Sequence, residues 1–181
     1  SFLPQSGDQF LVLDATSAAL APEQFRNIEA GVKWAIRPDL AFTGAVWQLD
    51  RTNTRAPDPN NPALVVLTGS TRAKGIEAQL AGRLTPDWEV SLGYALQDGE
   101  IRASTSAAPA GRRLAQLPRH QITLWNRYQL TNAIGIGAGV VHQSRQFATI
   151  SNAVRLPSFT RVDAALFWKI GERMEWQLNI E

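Results

Sequence analysis

Cysteine is absent from the 181 residues of this chain, and it contains only one methionine, two tyrosines and two histidines. Without cysteine the chain can form neither a disulfide nor a thiolate metal site. The two histidines, His120 and His142, have no carboxylate at the spacing that a zinc site requires. A structural or catalytic zinc site is therefore not expected.

Long apolar runs are missing as well. The longest runs, such as residues 63–67, are far shorter than the roughly 20 apolar residues that a transmembrane helix needs. This excludes a helical membrane protein but not a membrane barrel, because barrel strands alternate apolar and polar residues. The net charge of +2 is too small to indicate a nucleic-acid partner. No nucleophile elbow or Walker loop is present, so we predict no enzymatic activity and no cofactor.

The most frequent pattern in the sequence is an alternation of apolar and polar residues with a period of two. Ile28 and Val32 are separated by polar residues such as Glu29, and the same pattern recurs along the chain. Such alternation gives a strand one apolar and one polar face. The predicted strands are about 25–37, 39–50, 64–84, 87–99, 115–130, 133–147, 157–170 and 173–181.

The connections between these strands alternate between short and long. Short turns are centred near residues 38, 86, 132 and 171, and long connections run about 50–63, 98–117 and 147–158. An outer-membrane barrel has this asymmetry, with short periplasmic turns and long extracellular loops. Aromatic residues near the short turns are typical of its girdle, although a sandwich core could also hold them. They are Trp34, Trp88, Tyr128, Trp168 and Trp176.

Several stretches resemble one known family when they are taken in order. Residues 69–77, G-S-T-R-A-K-G-I-E, resemble its G-x-x-R-x-x-G-x-E motif. Residues 156–163, L-P-S-F-T-R-V-D, resemble L-P-x-Y-T-x-x-D with Phe159 in place of the usual tyrosine. Further resemblances lie at 22–33, 40–53, 88–98, 111–120 and 176–181. Together they resemble the late barrel of TonB-dependent ferric-siderophore receptors.

The resemblance implies an all-β fold: about eight antiparallel strands of a transmembrane barrel of about 22 strands. Residues 25–181 would be C-terminal barrel strands, with the plug domain and the last strand absent from this chain. Residues 1–24 would end an extracellular loop and contain a possible short strand at 10–13.

The resemblance also implies a function. The receptor would lie in the outer membrane of a Gram-negative bacterium and take up a ferric siderophore, with TonB, ExbB and ExbD acting through the plug. Iron would travel as a chelate rather than on protein ligands. Membrane lipid and lipopolysaccharide would be further partners, and nucleic acid would not be one.

Two sets of candidate residues follow. The polar face should turn charged residues towards the lumen and the plug: Lys33, Glu77, Arg83, Arg127, Arg161 and Asp163. An anionic chelate with flat arms needs arginine for charge and aromatic rings for stacking. The candidates for that role are Arg112, Arg113, Arg119, Arg145, Gln146 and Phe147, although solvated loop residues or lipopolysaccharide contacts would look the same.

The glycines at 135, 137 and 139 have a period of two, unlike a dinucleotide-binding loop. We expect them to let the plug or a neighbouring side chain approach the wall.

Other functions remain open from the residues alone. A receptor of the same kind could take haem, cobalamin or a sugar. The strands could instead close a small eight-strand barrel with a structural or adhesive role. A soluble β-sandwich is less consistent with the alternating connections.

Overall fold

The computed structural model describes residues 2–3, 22–57, 60–61, 65–106, 108–171 and 174–181. In this part of the chain the secondary structure consists of strands. They are β1 (Phe2–Leu3), β2 (Glu23–Arg37), β3 (Leu40–Pro57), β4 (Val65–Thr85), β5 (Trp88–Ala103), β6 (His120–Gln129), β7 (Ile134–Gln143), β8 (Gln146–Phe147), β9 (Arg155–Leu156), β10 (Phe159–Ile170) and β11 (Met174–Ile180). Among the described residues, no helix is long and apolar enough to cross a membrane.

The long strands form one antiparallel sheet in chain order. Its order is β1 to β7 followed by β10 and β11, while β8 and β9 make a small separate hairpin. The predicted all-β antiparallel fold is confirmed. The short strand expected at 10–13 lies outside the described residues, and β2 begins at Glu23, two residues before the predicted start at 25.

The predicted strand ends differ from the observed ones at the long connections. β3 continues to Pro57 and β5 to Ala103, because both go on pairing with the long β4. β6 begins only at His120, since Gln116 has a positive φ and Pro118 cannot donate to a strand ladder. β7 ends at Gln143, and Gln146 and Phe147 pair with β9 instead of continuing the large sheet.

The sheet has two chemically distinct faces. Away from the register shifts at strand ends, every pairing joins two even-numbered or two odd-numbered residues, as in Val46 with Ile76 and Ile76 with Leu96. Among the described residues, every exposed large hydrophobic side chain except Phe159 is even-numbered. We call the even-numbered side of the long strands the apolar face and the odd-numbered side the polar face.

Aromatic pairs border the apolar face at the end where the short turns lie. Trp88 is opposite Tyr128, and Trp168 is opposite Trp176. Trp34 and Phe42 form a third pair. At the opposite end a row of charges crosses the same face: Arg26, Asp50, Arg72 and Glu100. The apolar belt lies between these two borders.

Candidate functional site

The connections 104–119 and 144–158 fold against each other at the end of the sheet opposite the short turns. The Gln116 N–H donates to the carbonyl of Phe147 at 2.8 Å, and the His120 N–H donates to Ser144 Oγ at 2.9 Å. A small buried core joins both connections to the sheet, since Ile101 of β5 packs with Ala108 and Ile150. The two connections therefore form one ordered layer.

Gly99 on β5 leaves the space in which this layer packs against the sheet. A Cβ added at Gly99 would lie 2.5 Å from Leu117 Cδ2 and 2.8 Å from Leu114 Cδ1, so a side chain there would require both leucines to shift. Beside it, Gln97 Nε2 donates to the carbonyl of Pro118 at 3.1 Å. The absence of a side chain at Gly99 thus lets the first connection close onto the polar face of β5.

A cleft of about 440 Å³ opens between the two connections and the end of β5. Of the six candidate ligand residues, five line it: Arg113, Arg119, Arg145, Gln146 and Phe147. The sixth, Arg112, is not part of the lining, and its carbonyl accepts a hydrogen bond from the Ile101 N–H at 2.8 Å.

Arg155 also lines the cleft, and the sequence analysis missed it. Its guanidinium carbon lies 5.0 Å from the ring centroid of Phe147, because β9 pairs with β8 and brings residue 155 opposite 147. The available signal was that Arg155 lies in the long connection that directly follows the candidates Arg145, Gln146 and Phe147. No local pattern in the sequence indicated the β8–β9 hairpin, which folds this connection back on itself.

The cleft carries an excess of positive charge. Arg113 forms a salt bridge with Asp98, the one carboxylate in the lining. Among the described residues, no carboxylate forms a salt bridge with Arg119, Arg145 or Arg155. Guanidinium groups without a described carboxylate partner, one of them over an aromatic ring, suit a planar anion, which they bind through paired hydrogen bonds and stacking. The described residues contain no group of three or more His, Cys, Asp or Glu that could hold a metal ion.

The six residues predicted to face the lumen all lie in odd-numbered positions of the sheet, on its polar face. Glu89 stands between Arg83 and Arg127 on neighbouring strands, so charges of opposite sign alternate there. Arg161 Nε lies 3.0 Å from Asp163 Oδ1. Lys33 is opposite Thr43, and Glu77 lies between two alanines, Ala45 and Ala95.

The glycines of β7 leave a strip of the polar face without side chains of its own. Side chains from neighbouring strands lie over this strip. A Cβ at Gly137 or Gly139 would lie 2.7 or 2.6 Å from the ring of Trp125. Arg127 crosses the same strip: its guanidinium carbon lies 4.1 Å from the ring centroid of Phe167 on β10. The sequence led us to expect that either the plug or a neighbouring side chain approaches these glycines. Within the described residues, neighbouring side chains do so.

The sequence matches the model of a family described as "TonB dependent receptor-like, beta-barrel" over residues 1–181. It is 27% identical to the probable TonB-dependent siderophore receptor PiuA of Acinetobacter baumannii, over 96% of this chain and 25% of that protein. It is 30% identical to the catecholate siderophore receptor Fiu of Escherichia coli K12, over 98% of this chain and 25% of that protein. The chain thus spans about a quarter of the length of these relatives.

Solved structures agree with the fold. The crystal structure of PiuA from A. baumannii superposes with a TM-score of 0.82 at 26% identity, covering 99% of this chain and 28% of that one. The closed form of the ferric-catecholate import receptor Fiu from E. coli K12 gives a TM-score of 0.80 at 26% identity, covering 99% and 27%.

Proposed function

The chain belongs to the TonB-dependent receptor β-barrel family, and on that premise we propose that it forms part of the barrel wall of an outer-membrane receptor for a ferric siderophore. The apolar face would contact lipid, the long connections would lie outside the cell, and the short turns would lie in the periplasm. The host would be a Gram-negative bacterium.

The cationic cleft is the observation that supports the choice of ligand class. Three arginines without a salt bridge to a described carboxylate line the cleft together with Phe147, and one of them, Arg155, lies over its ring. Ferric complexes of catecholates are anions with flat aromatic arms, so they match both features. The relatives PiuA and Fiu, one named a siderophore receptor and the other a catecholate receptor, support the same choice. We therefore propose a ferric catecholate, with iron held by the chelator.

The polar face would pack against a plug domain, through which TonB, ExbB and ExbD would supply energy. Its mixed charges suit a polar partner: Lys33, Glu77, Arg83, Arg127, Arg161 and Asp163. In this scheme the wall binds and guides the chelate and catalyses no reaction.

The test uses the complete receptor in a strain that lacks its other siderophore receptors. We expect it to support growth under iron limitation with a catecholate siderophore, but not with a hydroxamate siderophore or with haem. The double variant Arg145→Gln, Arg155→Gln should weaken binding of the ferric catecholate at least tenfold, because each lost charge-assisted hydrogen bond costs about 1.5–3 kcal/mol. Quenching of tryptophan fluorescence by the ferric complex gives the Kd.

Arg102→Gln is the matched control, since Arg102 lies at the same end of the sheet and pairs with Glu100 rather than lining the cleft. This control should bind the chelate like the wild type. Equal affinity in the double variant and the wild type would contradict the cleft, and growth on haem or a hydroxamate alone would contradict the ligand class.

A further inference from the structure

Asp98 stands on β5 between two cations, one on each side of the strand. The register places Lys74 of β4 directly opposite Asp98. On the other side, an isolated bridge pairs Arg113 with Glu100, two residues further along β5. Side chains directly opposite each other on antiparallel strands have Cβ atoms about 4.5–5.5 Å apart, so Lys74 is within reach of the carboxylate as Arg113 is.

The carboxylate of Asp98 has chosen one of these two cations. It forms a salt bridge with Arg113. Lys74 is exposed and forms no salt bridge with a described residue. Gln48, which is opposite Lys74 on β3, donates its side-chain amide to Asp50 at 2.9 Å. Lys74 is thus a second cation beside Asp98 that has no carboxylate from the described residues.

Asp98 also lies where two concave regions of the surface meet. Among the described residues, the cleft of about 440 Å³ is lined by Asp98 and Arg113 but not by Lys74. A neighbouring groove of about 620 Å³ is lined by Asp98 and Lys74 but not by Arg113. If the carboxylate turned from Arg113 to Lys74, negative charge would leave the cleft and the guanidinium of Arg113 would become available to an anion.

The salt bridge is one that a ligand can displace. The side chains of Arg113 and Asp98 are 48% and 38% exposed. Solvent-exposed ion pairs contribute little, at most about fivefold in an equilibrium constant. Charge-assisted hydrogen bonds from a guanidinium to an anion contribute more, about tenfold or above. An anionic chelate in the cleft therefore gains more from Arg113 than the loss of the Asp98 pair costs.

We propose that Asp98 is an internal counter-ion of the cleft, which the anionic chelate displaces when it binds. Asp98 holds Arg113 in the empty receptor and turns to Lys74 when the chelate takes Arg113. This inference rests on the proposed function, the binding of a ferric catecholate in the cleft. It assigns opposite effects to two residues: Asp98 lowers the affinity for the chelate, and Lys74 raises it without touching the chelate.

The experiment uses the complete receptor in detergent, titrated with the ferric complex of a tris-catecholate and followed by quenching of tryptophan fluorescence. Asp98→Asn should tighten binding about threefold to fivefold, since an exposed salt bridge no longer has to be broken. Binding should also depend more steeply on salt concentration, because the cleft gains one net positive charge. If the pair merely held the connection in place, the same variant would bind the chelate more weakly.

Lys74 tests the exchange of partners. Lys74→Gln should weaken binding about threefold, because the displaced carboxylate then has no cation to pair with. In the Asp98→Asn background the same substitution should have almost no effect. Lys74→Arg should bind like the wild type, since the charge is retained. Equal losses from Lys74→Gln in the two backgrounds would overturn the proposal, because Lys74 would then act on the chelate directly.

Asp50→Asn is the matched control, because it removes the same charge from the next row of the sheet. Asp50 Oδ1 lies 2.6 Å from Arg72 Nε, and Asp50 lines neither the cleft nor the groove. It should leave the affinity unchanged. An equal gain in Asp50→Asn, or no gain in Asp98→Asn while the wild type binds the chelate, would refute the counter-ion alone. Failure of the wild type to bind the chelate would refute the proposed function and this inference together.

Discussion

The side-chain amide of Asn152 forms a two-way hydrogen-bonded pair with the backbone of Arg113. The Arg113 N–H donates to Asn152 Oδ1 at 2.8 Å, and Asn152 Nδ2 donates to the Arg113 carbonyl at 2.9 Å. These residues belong to the two long connections that enclose the cleft. This side chain thus links the two halves of the candidate ligand site, in addition to the hydrogen bond from Gln116 to Phe147 and the packing of Ala108 with Ile150.

Asn152→Ala should loosen this junction. Both hydrogen bonds to Arg113 are lost, together with a longer one of 3.3 Å to the Thr149 carbonyl. Each contributes about 0.5–1.5 kcal/mol, so the two connections should open more often. Asn152 also has a φ of 57°, a conformation that asparagine tolerates better than alanine. We expect faster hydrogen exchange at residues 104–119 and 144–158 and weaker binding of the ferric catecholate.

Asn152→Gly separates the loss of the hydrogen bonds from the effect of the positive φ, because glycine adopts positive φ without strain. It should show most of the loosening seen in the alanine variant. If Asn152→Gly exchanged as slowly as the wild type, the amide pair would not be what joins the connections.

Gly137→Leu should destabilise the wall from the polar face. The Cβ alone would come within 2.7 Å of the Trp125 ring, and overpacking of this kind costs about 1–3 kcal/mol. We expect less folded receptor in outer membranes, measured as the heat-modifiable band on gels. Ala138→Leu is the control on the exposed apolar face of the same strand, and it should assemble normally. Equal yields from both would contradict the packing of Trp125 on the glycine strip.

Arg127→Ala should cost more stability than Glu175→Ala. Arg127 Nη2 lies 3.3 Å from Glu175 Oε1, and a part-exposed pair of this kind is worth about 0–1 kcal/mol. Arg127 also lies over Phe167, which adds about 0.5–1 kcal/mol. The temperature at which the folded band disappears should therefore fall further for Arg127→Ala. An equal fall for both variants would mean that the ring contact contributes nothing.

Arginine substitutions should distinguish the two faces of the wall. Leu166→Arg would place a charge in the apolar belt, between the Trp168 row and the long connections, at a cost of about 2–4 kcal/mol if it lies near the midplane. Thr123→Arg, on the polar face, should cost much less. The amount of folded receptor in the outer membrane reports the difference. Similar yields would argue against lipid contact by the apolar face.

Periodicity was sufficient to predict the strands and their faces, because a two-residue repeat is a local property of the chain. The sequence therefore indicated that Lys33 and Glu77 share a face, and the register agrees. Strand ends were predicted less well where pairing decides them. β3 reaches Pro57 because β4 continues beside it, and no local signal at residues 51–57 reports that neighbour.

The cleft was harder to predict than the wall because it depends on contacts between distant connections. Arginine content alone suggested Arg112 and overlooked Arg155. Arg155 reaches the cleft through the β8–β9 hairpin, and Arg112 is held by backbone pairing with Ile101. Both outcomes depend on which backbone groups pair within these connections and with β5, which composition does not encode.

The even-with-even pairing of the strands has a consequence for how this wall can change length over evolution. The register shifts fall near Arg37, Thr54, Ser70 and Thr85, all at strand ends and outside the apolar belt. A single inserted residue inside the belt would turn every later side chain of its strand to the opposite face. Insertions and deletions should therefore accumulate at the strand ends and in the connections, or occur in pairs, while the length of each strand within the belt stays constant among related sequences.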